Sequence, residues 1–280
     1  MHFIYKLAAL SLSLIGISKP VNAQLQSQST APYVIIKTGY GFPASPQKIN
    51  EAEVNVGNDT FTSGIYGSYA KGANFSLGIG KMLNSTLGLE INAQYLLGST
   101  IRADYSSDLD SVSGFQTDRI RGLVFTPFVV IRNSGDLLSI YTKLGLAIAA
   151  VSSRSEYQES RFMLDGKPYQ IVSQASEPSR AKVGFAACFG LSFRVSEKFS
   201  LFVEANGQIM SLPISRGNYT KYEVNGVNAL PTMTTSDKSW IYEKAGFLET
   251  VPEKSSPSTK LYNPAYFSYV GLGIGLTYHL

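Results

Sequence analysis

Apolar and polar positions alternate in eight stretches of the chain, with a large apolar residue returning at every second position. The stretches are Tyr33–Phe42, Gly72–Leu83, Thr86–Leu97, Arg119–Ile131, Leu137–Val151, Ala181–Val195, Phe199–Leu212 and Tyr266–Leu280. In TLGLEINAQY one face carries Leu87, Leu89, Ile91, Ala93 and Tyr95, and the other carries Gly88, Glu90, Asn92 and Gln94. The terminal YVGLGIGLTYHL sets Val270, Leu272, Ile274, Leu276, Tyr278 and Leu280 against Gly271, Gly273 and Gly275. A period of two predicts β-strands, here with one greasy face and one face of glycine, serine and amide. Pro127, inside the fourth stretch, predicts a bulge or kink.

The connections alternate in length. Pro43–Lys71, Gly98–Asp118, Ser152–Arg180 and Pro213–Ala265 are long, whereas Asn84-Ser85, Arg132–Asp136 and Ser196–Lys198 are short. Antiparallel neighbours put successive connections at opposite ends of a sheet. All long connections therefore fall at one end and all short turns at the other, which is the layout of transmembrane barrels. Charge follows the same division. Of the 42 charged side chains after Ala23, 29 lie in the four long connections, and only Lys37, Glu90, Lys143 and Glu204 fall within strand bodies. A basic side chain facing lipid at the midplane costs about 2–4 kcal/mol, while a water-facing sheet has no reason to exclude one. The rival architecture is a soluble up-and-down barrel of the lipocalin kind, apolar inside and polar outside, with ordinary Lys and Glu on its outer faces. The fold expected is all-β: an eight-stranded antiparallel up-and-down transmembrane β-barrel over residues 33–280, with four long external loops.

The start of the chain reads as an export signal. His2 and Lys6 precede the apolar Leu7–Ile17, and Val21-Asn22-Ala23 resembles a cleavage site, giving a signal peptide over residues 1–23 and a short lead over 24–32. Eleven residues are too few to span a bilayer, which takes roughly 20. An exported membrane protein without a longer apolar helix has to cross by strands. After Ala23 the basic and acidic side chains nearly balance, so charge offers no case for nucleic acid as a partner. Cys188 is the only cysteine, which rules out an internal disulfide and a multi-cysteine metal site. No metal and no cofactor are expected.

On its strand layout and its terminal strand, the chain resembles the small outer-membrane β-barrels of the OmpX, OmpA-domain and opacity type, the outer-membrane protein β-barrel domain. The resemblance covers the whole chain after the export segment and rests on no sharp motif. It implies residence in the outer membrane of a Gram-negative bacterium, surrounded by outer-membrane lipid and lipopolysaccharide. It also implies insertion by the barrel assembly machinery. In that family the last strand usually ends on Phe; this one ends on Leu280, with Tyr278 two residues before it.

Four residues form the most specific constellation. Lys37, Glu90, Lys143 and Glu204 point inward by parity, stand at similar heights on alternate strands, and alternate in sign. Isolated, each would be costly to desolvate; paired, they would form a salt-bridged layer across a lumen that holds little beyond side chains. Asn92, Gln94, Asn206 and Gln208 on the same faces are available to satisfy the remaining donors and acceptors. Four unrelated charges in local water are the plainer account.

An enzyme would need a general base. His279 is the only histidine after Ala23, and it sits at the turn end of the last strand, where a solvated rim position explains it. In the longest connection, Trp240, Ile241, Tyr242, Phe247 and Leu248 are too apolar for a merely solvated loop. They either pack against the rim and neighbouring loops or form a partner-binding patch. Asp104, Asp108, Asp110 and Asp118, with Arg102, read as a solvated acidic tip that matches no calcium motif. The function expected is a non-enzymatic membrane platform whose external loops bind an unidentified extracellular ligand. A narrow passive, porin-like pore for ions or small solutes is the alternative.

Overall fold

Alternation turns into strands because each stretch can satisfy its backbone only against a neighbour in lipid. In a computed structural model the described residues are 31–44, 47–56, 59–107, 112–133, 135, 137–243, 253–262 and 264–280; for 47–56, 59–65 and 107 the description is of the backbone. The export segment 1–23, the greater part of the lead, and Asp108, Asp110, Phe247 and Leu248 lie outside the described residues.

Eight strands form a ring: β1 (Pro32–Pro43), β2 (Gly72–Met82), β3 (Leu87–Gly98), β4 (Val112–Asn133), β5 (Leu138–Leu164), β6 (Lys182–Arg194), β7 (Phe199–Ile209) and β8 (Tyr269–His279). Each pairs antiparallel with its neighbour in the chain order of these labels. The ring then closes, β8 running antiparallel to β1 from Tyr33↔His279 to Pro43↔Tyr269. Closure removes the free sheet edge that hydrocarbon cannot tolerate. All eight predicted stretches are ring strands.

The outward face is an apolar belt: Leu77, Ile91, Leu144, Leu201, Leu272 and Ile274 are each exposed. A girdle of this kind on a soluble protein would far exceed an ordinary surface patch, and lipid is the solvent it fits. The chain is a transmembrane β-barrel. The inward face is crowded. A Cβ added at Gly80 would collide with the Tyr33 ring, and one at Gly190 with the Tyr141 ring, so both positions need glycine. The turns are set by side chains. Asn84 Oδ1 accepts from the amides of Thr86 (2.9 Å) and Leu87 (2.7 Å), and Ser196 Oγ accepts from the Phe199 amide (3.1 Å).

Two features differ from the sequence reading. Among the described residues the first three long connections are largely strand and the last carries shorter strands, because β4 (22 residues) and β5 (27 residues) continue past the belt and offer partners to neighbouring chain. Ile101–Ser107 pairs with β4, Lys167–Pro178 pairs with β5, Arg216–Val224 pairs with Lys167–Pro178, and Ser239–Glu243 pairs with Arg216–Val224. The second difference concerns Pro127. The β4–β5 register shift falls between Leu123 and Val124, and the ladder passes from Phe125↔Ile148 to Phe128↔Gly145. Pro127, which has no N–H to give, sits in that gap.

Candidate functional site

Inward positions stack into layers from the turn end upward. Lowest is an aromatic and aliphatic cluster of Tyr33, Ile35, Tyr141 and Phe202. It surrounds a cavity of about 40 Å³ that is also lined by Arg132 and His279. His279 is half-buried, with Nε2 3.3 Å from Ser200 Oγ.

Above it lies the ionic layer. Lys37 Nζ stands 2.5 Å from Glu204 Oε1, Lys143 Nζ 2.7 Å from Glu90 Oε1, and Lys143 Nζ 3.7 Å from Glu204 Oε2. All four residues are buried. Tyr33 donates to Glu90 Oε2 and Tyr141 to Glu204 Oε2, each at 3.1 Å, and Asn92 Nδ2 donates to Glu90 Oε1 at 2.7 Å. Two cations thus face two carboxylates, and each carboxylate takes further donors. A buried ion pair holds together only under that condition. Cys188 is buried on the same level, paired in register with Lys143 and Asn206.

The next layer is amide. Gln94 Nε2 donates to the Tyr269 hydroxyl at 3.0 Å, but both polar atoms of Asn206 and Nε2 of Gln208 have no hydrogen-bond partner among the described residues. These two do not complete the ionic layer; they stand above it and line a cavity of about 10 Å³. Over the amides sits an apolar plug in which the ring-strand residues Leu96 and Val124 meet Tyr69, Met210, Ile214 and Phe267 from the chain between ring strands.

The outermost cluster was not anticipated from sequence. It lies above the belt, whose upper edge on β4 is marked by the outward-facing Arg121. Glu177, fully buried, accepts from the Arg154 guanidinium, from Trp240 Nε1 at 3.0 Å and from the Tyr242 hydroxyl at 2.7 Å. Lys260 Nζ lies 3.7 Å over the Trp240 ring. Gly217 leaves room for that indole; a Cβ there would collide with it. Burial works against the Arg154 charge, but Glu177 beside it holds the guanidinium above its usual range. Burial, with Glu156 and Glu177 adding to it against Arg154, pushes Asp118 up to about 7.

The structure bears on two sequence readings here. Trp240 is only 3 % exposed and Tyr242 bonds to Glu177, while Ile241 is 37 % exposed. Trp240 and Tyr242 pack on neighbouring connections, one of the two accounts the sequence left open; Phe247 and Leu248 lie outside the described residues. Asp118 is 5 % exposed and belongs to the interior, because parity on the extended β4 turns it inward; Arg102 and Asp104 form an exposed pair at 2.7 Å. Among the described residues, no group of three His, Cys, Asp or Glu side chains is placed to hold a metal ion.

No protein-family model matches the chain, and no curated protein does. Solved structures are similar to it at low identity. Neisserial surface protein A aligns at 10 % identity, over 89 % of this chain and 97 % of its own, with a TM-score of 0.35. CarO2 of Acinetobacter baumannii aligns at 10 % identity, over 89 % and 99 %, with a TM-score of 0.33. Ail, the attachment invasion locus protein of Yersinia pestis, aligns at 14 % identity, over 89 % and 99 %, with a TM-score of 0.31. In fold, the chain resembles these small outer-membrane barrels.

Proposed function

We propose that this barrel is a non-enzymatic platform in the outer membrane, with a closed lumen and external connections that bind a surface or host partner. The observation that carries the reading is the ionic layer. Lys37, Glu90, Lys143 and Glu204 span the lumen with their charges mutually satisfied, which favours a wall-to-wall brace over a wet path. The apolar plug above it adds a second block. A lumen closed twice leaves the extended connections beyond the belt as the part available for contact. The half-buried His279 is bonded to the Ser200 hydroxyl at the turn end, and among the described residues no carboxylate is bonded to its ring to complete a triad.

Conductance tests this directly. The refolded protein in a planar bilayer is expected to be silent, as is the Glu90→Gln/Glu204→Gln double variant so long as the apolar plug remains. Steady wild-type openings, changed in size or selectivity by the double variant, would make the protein a narrow passive pore with the ionic layer as its filter.

A further inference from the structure

The outermost cluster contains one group that the packing does not use. Asp118 is buried; its Oδ2 accepts from Gln116 Nε2 at 3.1 Å, and its Oδ1 has no hydrogen-bond partner among the described residues. We infer that the outer mouth is closed by a proton-held latch: Asp118 keeps its proton while the last long connection is seated on Glu177, and loss of that proton loosens the seat. The inference does not depend on what the external connections bind.

The strand Ile101–Ser107 meets Asp118 through Ile101, and its own charges, Arg102 and Asp104, form an exposed pair with each other; the charges around Asp118 come from the other elements packed on it. Gln116 is on its own strand. On β5, Glu156 lies directly opposite in register, and Arg154 is two residues nearer the membrane. Glu177 comes from Lys167–Pro178, and Tyr69 from the first long connection. Lys260, from the last connection, acts on Glu156 and Glu177. Among these described groups there are two cations and three carboxyls. Arg154 is committed to Glu177, and Lys260 lies over Trp240. With Asp118 neutral, two cations meet two carboxyls, Glu177 and a Glu156 that burial holds above its usual range. With Asp118 ionised, a carboxylate with no cation of its own is buried beside Glu156 and Glu177, and it draws on the same guanidinium that steadies Glu177. Glu177 is the acceptor for both Trp240 and Tyr242, so the strain reaches Ser239–Glu243 directly.

The seated carboxyl holds its proton up to about 7, against an ordinary value of 3.8 once solvated. Across that window the open form binds fewer protons, so opening becomes easier as pH rises. Above about 7 both forms are ionised and nothing more is gained; below 3.8 both are protonated and the latch is tightest. Between pH 5 and pH 8 these two values correspond to a shift in the opening equilibrium of up to roughly a hundredfold.

Trp240 is the only tryptophan in the chain, so acrylamide quenching of its fluorescence reads the seat. The experiment titrates the refolded full chain in detergent micelles from pH 5 to pH 8, beside Asp118→Asn and Glu156→Gln. Quenching of the wild type is expected to rise with a midpoint near pH 7. Asp118→Asn should stay at the acid-side value throughout, and Glu156→Gln should keep the rise with its midpoint moved to lower pH, since Glu156 is one of the groups that raise Asp118. A wild-type profile that is flat across the window would overturn the inference. So would a rise that persists in Asp118→Asn, or one lost in Glu156→Gln alone. If Asp118→Asn does not refold, the wild type and Glu156→Gln still decide.

Discussion

The lumen holds two buried charge clusters of different construction. The lower takes one residue from each of four alternate ring strands, Lys37 of β1, Glu90 of β3, Lys143 of β5 and Glu204 of β7, and balances two cations against two carboxylates. The upper takes Asp118 and Arg154 from the extensions of β4 and β5, Glu177 from a strand outside the ring, and Trp240 and Tyr242 from the last connection. The first is part of the wall; the second clasps a connection to the wall. Losing the lower cluster should therefore threaten the whole barrel, while losing the upper one opens a local unit.

The largest effect is expected from Glu204→Gln, which takes the counter-charge from Lys37 and weakens that of Lys143. About 3–5 kcal/mol should be lost, read as a lower urea midpoint for the barrel refolded in lipid vesicles. An unchanged midpoint would mean that the lower cluster does not brace the wall. Glu177→Gln should cost about 1.5–3 kcal/mol, the worth of bonds to a charged group, and only in the clasp. Protease should then cut within 213–265 faster while the urea midpoint holds. If that midpoint fell as far as for Glu204→Gln, the contrast between wall and clasp would collapse. The smallest effect is expected at Cys188, where Cys188→Ala should change stability by less than about 1 kcal/mol. Maleimide should label the wild-type thiol only once urea has unfolded the barrel, since it is buried beside the lower cluster. Labelling of the native protein would show the lower cluster to be open to water.

The two clusters also differ in how far sequence discloses them. Inside the belt, lipid on one side and a tight lumen on the other force a strict alternation, so counting by twos assigns Glu90 or Glu204 a face and a height. Past the belt both faces are partly wet and the contrast fades. Arg119–Ile131 was legible as strand because Leu123, Phe125 and Val129 face lipid; the continuation back to Val112, which carries Asp118 inward, has no such contrast. Glu177 and Trp240 are 63 residues apart, and only the lateral stacking of Lys167–Pro178, Arg216–Val224 and Ser239–Glu243 brings them together. No local period encodes that stacking. The apolar character of Trp240 and Tyr242 did signal burial, but not its partner.

The seam between β1 and β8 has a kinetic consequence. Its ladder of eleven pairs joins the two strands that lie farthest apart along the ring's own stretch of chain. Loop-closure entropy grows slowly with separation, so the seam need not be weak once made. Contacts of such long range do form late, however, and slow the folding of sheets that depend on them. Until the seam zips, every intermediate carries two raw edges of matching register. If β8 of one copy met β1 of another first, the product would be an open-ended polymer in place of a ring. The seam thus makes the reaction order of assembly a structural property: unimolecular closure has to outrun bimolecular joining, and dilution favours the barrel.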